Sequence, residues 1–151
     1  MIKTILIPTD GSAYSRYAVE YAVDLCAALK AAVVLVSVVD VRFDMYDVYS
    51  EIHSPTRIEE VIREQMSKAL DKQAAEIQER GIKVKKILRV GDVIHEILSV
   101  VKEEGVDLVV IGTHGRKGVS RFLLGSTTEK LVRSSSCPVL TVRPPEEKPV
   151  S

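Results

Sequence analysis

Residues suited to binding an anion are concentrated in one segment, GTHGRKGVSRFLLGSTT, at positions 112–128. Gly112 and Gly115 stand three positions apart, and nine residues separate Gly115 from Gly125, which is followed by Ser126. An ordered glycine costs more conformational entropy than any other residue, so its presence has to be explained. The spacing indicates either unusual backbone dihedral angles or the close approach of another group.

The chemistry that fits this segment is phosphate binding. A helix is predicted to begin at Ser126, and the N–H groups at a helix start carry partial positive charge that favours phosphate. Ser126 can cap that helix or turn its hydroxyl to the same anion. Gly112 and Gly115 would let the preceding loop turn its own N–H groups inward as an anion-binding nest. On glycine content alone, a phosphate site and an ordinary long loop before a capped helix remain equally good interpretations.

Signatures of other nucleotide and catalytic sites do not occur in the sequence. There is no Gly-x4-Gly-Lys-Ser/Thr run of a P-loop and no Gly-x-Gly-x-x-Gly dinucleotide fingerprint. The nucleophile elbow Gly-x-Ser-x-Gly and the zinc motif His-Glu-x-x-His are also missing. The glycine-rich segment is therefore the feature from which a function can be argued.

Hydrophobic periodicity predicts alternating strands and helices along the chain. The predicted strands are residues 3–9, 32–40, 83–90, 107–112 and 138–142. The predicted helices are residues 15–29, a long helix that ends near Arg80 before Gly81, residues 93–105 after the N-cap Asp92, and residues 126–134. Residues 40–56 are predicted to form a loop of undetermined conformation.

This alternation predicts an α/β fold, a single-domain three-layer sandwich with a five-stranded parallel sheet. Three strands are uniformly apolar and are placed centrally, whereas the third carries Lys83, Lys85 and Lys86 and is placed at an edge. The strand order 3-2-1-4-5 satisfies both conditions. In such sheets ligands bind at the carboxyl ends of the strands where the chain reverses direction, here between strands one and four. A ligand is therefore expected beside the glycine-rich segment.

The composition argues against several partners. The 151 residues include 21 Lys and Arg and 21 Asp and Glu, so no net charge attracts nucleic acid or an anionic membrane. With no Trp, five Tyr and two Phe, a base-stacking surface is not expected. Cys26 and Cys137 stand among apolar neighbours and are predicted to be buried free thiols. The N-terminal apolar run stops at Pro8, too short for a signal peptide or a membrane span, and a cytoplasmic location is expected.

The spacing Gly-x2-Gly-x9-Gly-Ser resembles the nucleotide-binding motif of the universal stress protein family. The opening ILIPTDGS, the strand LVSVVD, the VGDV before the third helix and the closing SSCPVLTVR are also similar to that family. The resemblance covers nearly the whole chain apart from residues 41–56 and the tail. It implies the α/β sheet predicted above and the binding of ATP, or of ADP or AMP in its place, with any Mg²⁺ arriving on the phosphates.

The resemblance also implies which residues contact the nucleotide. The adenosine half would lie against Pro8, Thr9, Asp10 and the main chain of Val38. The ribose and phosphates would be lined by Gly112, Thr113, His114, Gly115 and Arg116, and the outer phosphates would be held by Gly125, Ser126, Thr127 and Thr128. Considered alone, Asp10 is equally well explained by an Asx turn after the strand, and His114 and Arg116 by solvated loop positions.

The implied function is that of an ATP-binding sensor or switch in stress physiology, acting on a protein partner that the sequence does not identify. The alternative is a slow ATPase or phosphotransferase that uses the same site. Against it, the P-loop lysine is missing and no carboxylate or histidine is clearly positioned to activate water. A scaffold that binds no ligand is disfavoured because the motif is complete.

The last strand, Val139–Val142, has no charged residue until Arg143 and would present unpaired N–H and C=O groups at a sheet edge. Pairing with its own copy about a two-fold axis would satisfy those groups, and the family's dimers resemble this arrangement. A homodimer through this strand is therefore expected. The folded domain is predicted at residues 1–143 and a disordered Pro-rich tail at residues 144–151. The alternative is that this tail folds back and covers the edge.

Overall fold

The computed structural model describes the chain at residues 1–40, 55–113 and 125–144. The strands are β1 (Thr4–Pro8), β2 (Ala32–Val39), β3 (Val84–Val90), β4 (Leu108–Gly112) and β5 (Val139–Val142). The helices are α1 (Ala13–Leu29), α2 (Pro55–Glu79), α3 (Val93–Glu103) and α4 (Ser126–Ser134). Each strand lies within about one residue of its predicted bounds, and the tail beyond Pro144 lies outside the described residues.

The five strands form one parallel sheet in the order β3-β2-β1-β4-β5, which confirms the predicted order. β1 pairs with β2 on one side and with β4 on the other, so it is enclosed by neighbours. Its residues Ile5, Leu6 and Ile7 have no exposed surface. The reversal of direction therefore occurs between β1 and β4, as the sequence predicted.

Helices cover both faces of the sheet and complete the three-layer sandwich. Helices α1 and α2 pack on the face that carries Ile5 and Leu35, whereas α3 and α4 pack on the face that carries Leu6 and Val34. Because successive side chains of a strand point to opposite faces, burial of both faces requires nearly continuous apolar sequence. This is why β1 and β2 are Val-, Ile- and Leu-rich throughout.

The lysine-bearing strand β3 lies at an edge of the sheet, as predicted. Lys85 Nζ lies 2.7 Å from Glu104 Oε1, and Lys86 Nζ lies 2.8 Å from Asp71 Oδ1. Exposed ion pairs of this kind contribute about 0–1 kcal/mol each to stability. Their larger effect is to place charge along β3, where it opposes pairing with another strand.

Helix α2 begins at Pro55, inside the segment 40–56 that was predicted to be a loop. That boundary was wrong because proline suits the first helical turn, where its fixed φ is favourable and its missing N–H would have no helical partner. At the other end Gly81 takes a φ of 78°, and Asp92 Oδ1 accepts a hydrogen bond from His95 N at 2.9 Å at the start of α3. Both of these helix boundaries confirm the prediction. Residues 41–54 lie outside the described residues.

Asp107, directly before β4, fixes the amino ends of β1 and β4 to each other. Its carboxylate accepts hydrogen bonds from Lys3 N at 2.9 Å and Thr4 N at 3.0 Å. These two backbone donors hold the pKa of Asp107 below its ordinary value. Because the two strands are held in parallel at one end, their carboxyl ends also lie together.

Both cysteines are free thiols, as predicted. Cys26 is buried, and that burial raises its pKa to about 11. Cys137 is only half-buried, which corrects the prediction of two buried thiols. It lies two positions before the edge strand β5, where fewer neighbours cover it. Among the helices of the described residues, none contains an apolar stretch that could span a lipid bilayer.

Candidate functional site

The carboxyl ends of β1 and β4 lie side by side where the sheet changes direction. β1 ends at Pro8 and β4 at Gly112, and the two strands pair in parallel. The next described helix after β1 packs on one face of the sheet, and the next one after β4 packs on the other. Such divergence leaves a crevice, the usual ligand position in open α/β sheets. We call this position, bordered by residues 9–12, 112–113 and 125–128, the crevice.

Two hydrogen bonds join the parts of the glycine-rich segment that the structure describes. Gly125 N donates to Thr113 O at 2.8 Å, and Thr128 Oγ1 donates to Gly112 O at 2.7 Å. Thr113 and Thr128 are 2% and 3% exposed, so these bonds lie within the protein. Thr113 and Gly125 are therefore adjacent, at the edge of the crevice.

Helix α4 begins without a side-chain cap, because its N-cap residue is Gly125. Its first intrahelical bond runs from Glu129 N to Gly125 O at 3.0 Å. Ser126 is exposed and Thr127 is half-buried on the first turn. The amide groups of such a turn and the helix dipole together favour an anion, and the Ser126 hydroxyl is available to the same ligand.

The glycines at the base of this segment do not need a left-handed backbone. Gly125 has φ −59° and ψ 152°, and Gly112 is a regular β4 residue that pairs with Val142. Other residues adopt both conformations, so unusual dihedral angles do not explain these two glycines. Of the two explanations considered from the sequence, the close approach of another group is the one compatible with these angles.

The connection from β1 to α1 is a compact turn. Asp10 Oδ1 accepts a hydrogen bond from Ser12 N at 2.8 Å, the geometry of an Asx turn. Ser12 Oγ in turn accepts from Ser15 N at 3.3 Å and caps α1. Between them, Gly11 takes a φ of 77°, which side-chain-bearing residues rarely adopt. The Asp10 carboxylate is therefore held at the border of the crevice by the backbone.

Thr9 is buried, and its polar groups make hydrogen bonds within the protein. Its Oγ1 donates to Gln73 Oε1 of α2 at 2.9 Å and accepts from Gly11 N at 3.2 Å. Its carbonyl accepts from Ser37 Oγ of β2 at 2.7 Å. The Thr9 side chain is thus directed toward α2, and it acts on the crevice by fixing the turn.

Sequence reasoning missed Ser37 and Gln73, although each carries a signal. Ser37 is the polar residue of the strand AVVLVSVV, and Gln73 follows Leu70 by three positions and precedes Ile77 by four. Leu70 and Ile77 are buried, so the helical period places Gln73 on the inner side of α2. Ser37 is buried and Gln73 is half-buried, and polar side chains so placed need a hydrogen-bond partner, which for both residues is Thr9.

The predicted site residues differ in where the structure places them. Val38, near the end of β2, packs its side chain against the α3–α4 core and lies in register with Arg89 of β3. His114, Gly115 and Arg116 lie outside the described residues. The structure brings the others to the carboxyl end of the sheet: Pro8, Thr9, Asp10, Gly112, Thr113, Gly125, Ser126, Thr127 and Thr128. In the part of the chain described, no three His, Cys, Asp or Glu residues are grouped to hold a metal ion.

Replacing Thr128 with valine should lower the free energy of unfolding by about 1–3 kcal/mol. Valine keeps the shape of threonine but lacks the hydroxyl, so Gly112 O loses its 2.7 Å partner inside the protein. Chemical denaturation would measure the change. Thr127→Val is the matched control on the same turn, at a half-buried position, and should change stability by no more than about 0.5 kcal/mol. Equal effects of the two substitutions would contradict the role given to the Thr128 hydroxyl.

Known proteins with the same features were found by sequence and by structure. The model of the universal stress protein family matches residues 1–143. The universal stress protein MJ0531 of Methanocaldococcus jannaschii is 34% identical over 148 residues, which cover 98% of this chain and 86% of that protein. The universal stress protein YxiE of Bacillus subtilis is 32% identical over 148 residues, which cover 95% of this chain and all of that protein.

Solved structures agree with this assignment. The structure of MJ0577, a second universal stress protein of Methanocaldococcus jannaschii, has a TM-score of 0.84 at 30% identity and covers 97% of this chain and 99% of its own. A universal stress protein in complex with cAMP shares the fold, with a TM-score of 0.66 at 22% identity over 94% of this chain and 97% of its own. From its sequence and its fold, this chain belongs to the universal stress protein family.

Proposed function

We propose that the protein binds ATP, or another adenine nucleotide, in the crevice and acts as a cytoplasmic sensor or switch in the stress response. The observation that carries this proposal is the pair of hydrogen bonds that joins Gly112 and Thr113 to the uncapped start of α4. Such a helix start, held rigidly against the sheet, suits a phosphate group. Family membership supports the stress role. The fold is compatible with an adenine nucleotide, since one structural relative is in complex with cAMP.

The nucleotide would extend from the β1 side of the crevice to the α4 side. Adenosine would contact Pro8, Thr9, Asp10 and the main chain of Val38. A carboxylate has about four acceptor positions, so Asp10 can accept from Ser12 N and from a ribose or adenine donor at the same time. The phosphates would lie against the glycine-rich segment. The residues in contact with them would be Gly112, Thr113, His114, Gly115, Arg116, Gly125, Ser126, Thr127 and Thr128, and the Thr128 hydroxyl also holds Gly112 in place.

Binding rather than fast catalysis is the activity that this site favours. Among the described residues that border the crevice, Asp10 carries the carboxylate, and this group already forms the Asx turn that holds the β1–α1 connection. Any Mg²⁺ would arrive with the phosphates, which usually share the ion with one or two carboxylates and several waters. A slow ATPase or phosphotransferase activity would need a base that these contacts do not supply.

Native mass spectrometry of the purified protein, followed by calorimetric titration, tests the binding proposal. We expect an adenine nucleotide to co-purify with the protein and ATP to bind in a one-to-one ratio to the stripped protein. GTP is the matched control, because it has the same phosphates and a different base. A stripped protein that binds neither nucleotide would overturn the proposal.

We expect release of phosphate from ATP to be slower than about 1 per second, the lower end of ordinary enzymatic turnover. The physical reason is that the described crevice orients a ligand but offers no group clearly placed to activate water. Release should be measured with Mg²⁺ present, on protein freed of contaminating ATPases, with the Gly115→Val variant as the background control. A faster rate of phosphate release that falls in the Gly115→Val variant would establish an enzyme instead of a sensor.

The proposal extends to assembly. We propose that residues 1–143 form the folded domain and that two copies pair through β5. This homodimer, with nucleotide bound, would interact with an unidentified protein partner. Its support is the position of β5 at the edge of the sheet, opposite the charged edge strand β3.

A further inference from the structure

The polar contact between Thr9 and Gln73 joins the crevice to a helix that is distant in sequence. Thr9 Oγ1 donates to Gln73 Oε1 at 2.9 Å across 64 positions of sequence. Gln73 occupies the inner side of α2, between the buried residues Leu70 and Ile77. It is half-buried, whereas most polar residues of the same helical turns are exposed. Gln73 thus places a polar side chain at a position of α2 where an apolar side chain would add to the stability of the core.

The bond from Thr9 to Gln73 acts on the turn that carries Asp10. Thr9 Oγ1, oriented by Gln73, accepts from Gly11 N at 3.2 Å. Asp10 Oδ1 accepts from the next amide, Ser12 N, at 2.8 Å. The two consecutive N–H groups of the turn are therefore held by two side chains, one of which is itself held by α2.

A second hydroxyl lies near Thr9 but has its proton engaged elsewhere. Ser15 Oγ lies 3.2 Å from Thr9 Oγ1 and donates to Ser12 O at 2.9 Å. Because a hydroxyl that donates can also accept, Ser15 Oγ is an alternative acceptor for the Thr9 proton, and the bond to Gln73 Oε1 is what directs that proton toward α2. Loss of the Gln73 oxygen would make the Thr9 hydroxyl turn to Ser15, which changes the direction from which Thr9 accepts the Gly11 N–H.

We propose that Gln73 is a positioning residue for the adenosine end of the nucleotide site, acting through Thr9 to set the turn that presents Asp10. It makes no contact with the phosphates in this arrangement, because those lie on the α4 side of the crevice. The inference rests on the proposed function, since it assigns Gln73 to the same site. It also connects α2 to that site, so that a displacement of α2 changes adenosine affinity.

The test compares ATP with inorganic tripolyphosphate in calorimetric titrations of the full chain. Gln73→Leu, whose side chain is one atom shorter and lacks the acceptor, should weaken ATP binding about three- to tenfold, as expected for one neutral hydrogen bond. Tripolyphosphate affinity should not change. Gln78→Leu is the matched control, since Gln78 is an exposed residue of the same helix, and it should leave both affinities at the wild-type values. In a Thr9→Val background, Gln73→Leu should have no further effect on ATP binding.

A second measurement does not depend on any ligand. Amide hydrogen exchange of Gly11, followed by NMR, should become faster in Gln73→Leu and remain unchanged in Gln78→Leu. Equal weakening of ATP and tripolyphosphate, or additive effects of Gln73→Leu and Thr9→Val, would overturn the inference, since both indicate general destabilisation. A wild-type protein that binds no ATP would refute the proposed function, and the Gly11 exchange rate would then decide whether Gln73 sets the turn. Unchanged exchange in Gln73→Leu would overturn that role as well.

Discussion

Substitution of Gly115 by valine should weaken ATP binding about 5- to 150-fold. Gly112 and Gly115 are the first pair of the motif Gly-x2-Gly-x9-Gly-Ser, and the base of that segment is held at the crevice by the bond from Gly125 N to Thr113 O. An added side chain in a close-packed contact typically costs about 1–3 kcal/mol, which corresponds to that range of affinity. Calorimetric titration of ATP into the two proteins would measure the ratio of their Kd values.

A graded series makes this result specific to the size of the side chain. Gly115→Ala should give an affinity between those of the wild type and Gly115→Val, since it adds one methyl group where valine adds three carbons. Ser126→Ala should cost about 1–2 kcal/mol, as expected for a charge-assisted hydrogen bond to phosphate. All three variants should unfold at wild-type denaturant concentrations. An unchanged ATP affinity in Gly115→Val would refute the assignment of the site to this segment.

The sequence predicted the fold because the signals that specify it are local. The strand order follows from the contrast between uniformly apolar β1, β2 and β4 and the lysines of β3, and that contrast arises from burial on two faces. Asp92 and Gly81 could be assigned as helix ends because caps are formed by residues near in sequence. Pro55 was misplaced because proline is compatible both with a loop and with a first helical turn.

The sequence predicted the position of the candidate site more fully than it predicted the contacts that form the site. The position between β1 and β4 follows from topology alone, and the glycine-rich segment is adjacent to it. The bonds that shape it join residues far apart in sequence, such as Thr9 with Gln73, and periodicity carries no information about such pairs. Thr128 was expected among the residues that hold the outer phosphates, and its hydroxyl donates to Gly112 O, an acceptor 16 positions earlier in the sequence. Sequence spacing identifies a hydroxyl near the site but not the acceptor it will use.

The edge strand β5 directs alternate main-chain groups away from the sheet, and this alternation specifies a test of dimerisation. Val109 N donates to Pro138 O at 3.0 Å, and Thr113 N donates to Val142 O at 3.0 Å. The N–H and C=O groups of one strand residue point to the same side, so even-numbered residues of β5 face β4. Val139 and Thr141 therefore turn their main chain outward, where no strand of the described residues pairs with them.

Thr141→Pro should convert a dimer into a monomer at tens of micromolar protein. The substitution removes one outward N–H needed for antiparallel pairing with a second copy, and it leaves the bonds to β4 in place. ATP affinity should stay at the wild-type value, because the bond from Thr113 N to Val142 O is not altered. Sedimentation velocity would measure the assembly state. Thr141→Val is the matched control, since valine keeps both the N–H group and the branched side chain and should remain dimeric.

A lysine at Leu140 is a less specific test of the same interface. Leu140 is half-buried against the core formed with α1 and α2, so Leu140→Lys would both place a charge at the edge and destabilise the fold. Thr141→Pro separates the two effects, because it acts on a main-chain group that points away from the core. If the Pro-rich tail covers β5 instead, the wild type is a monomer, and removal of residues 145–151 should produce the dimer. A wild-type dimer that Thr141→Pro does not dissociate would place the interface on another surface, and β5 would then need a different partner for its outward N–H and C=O groups.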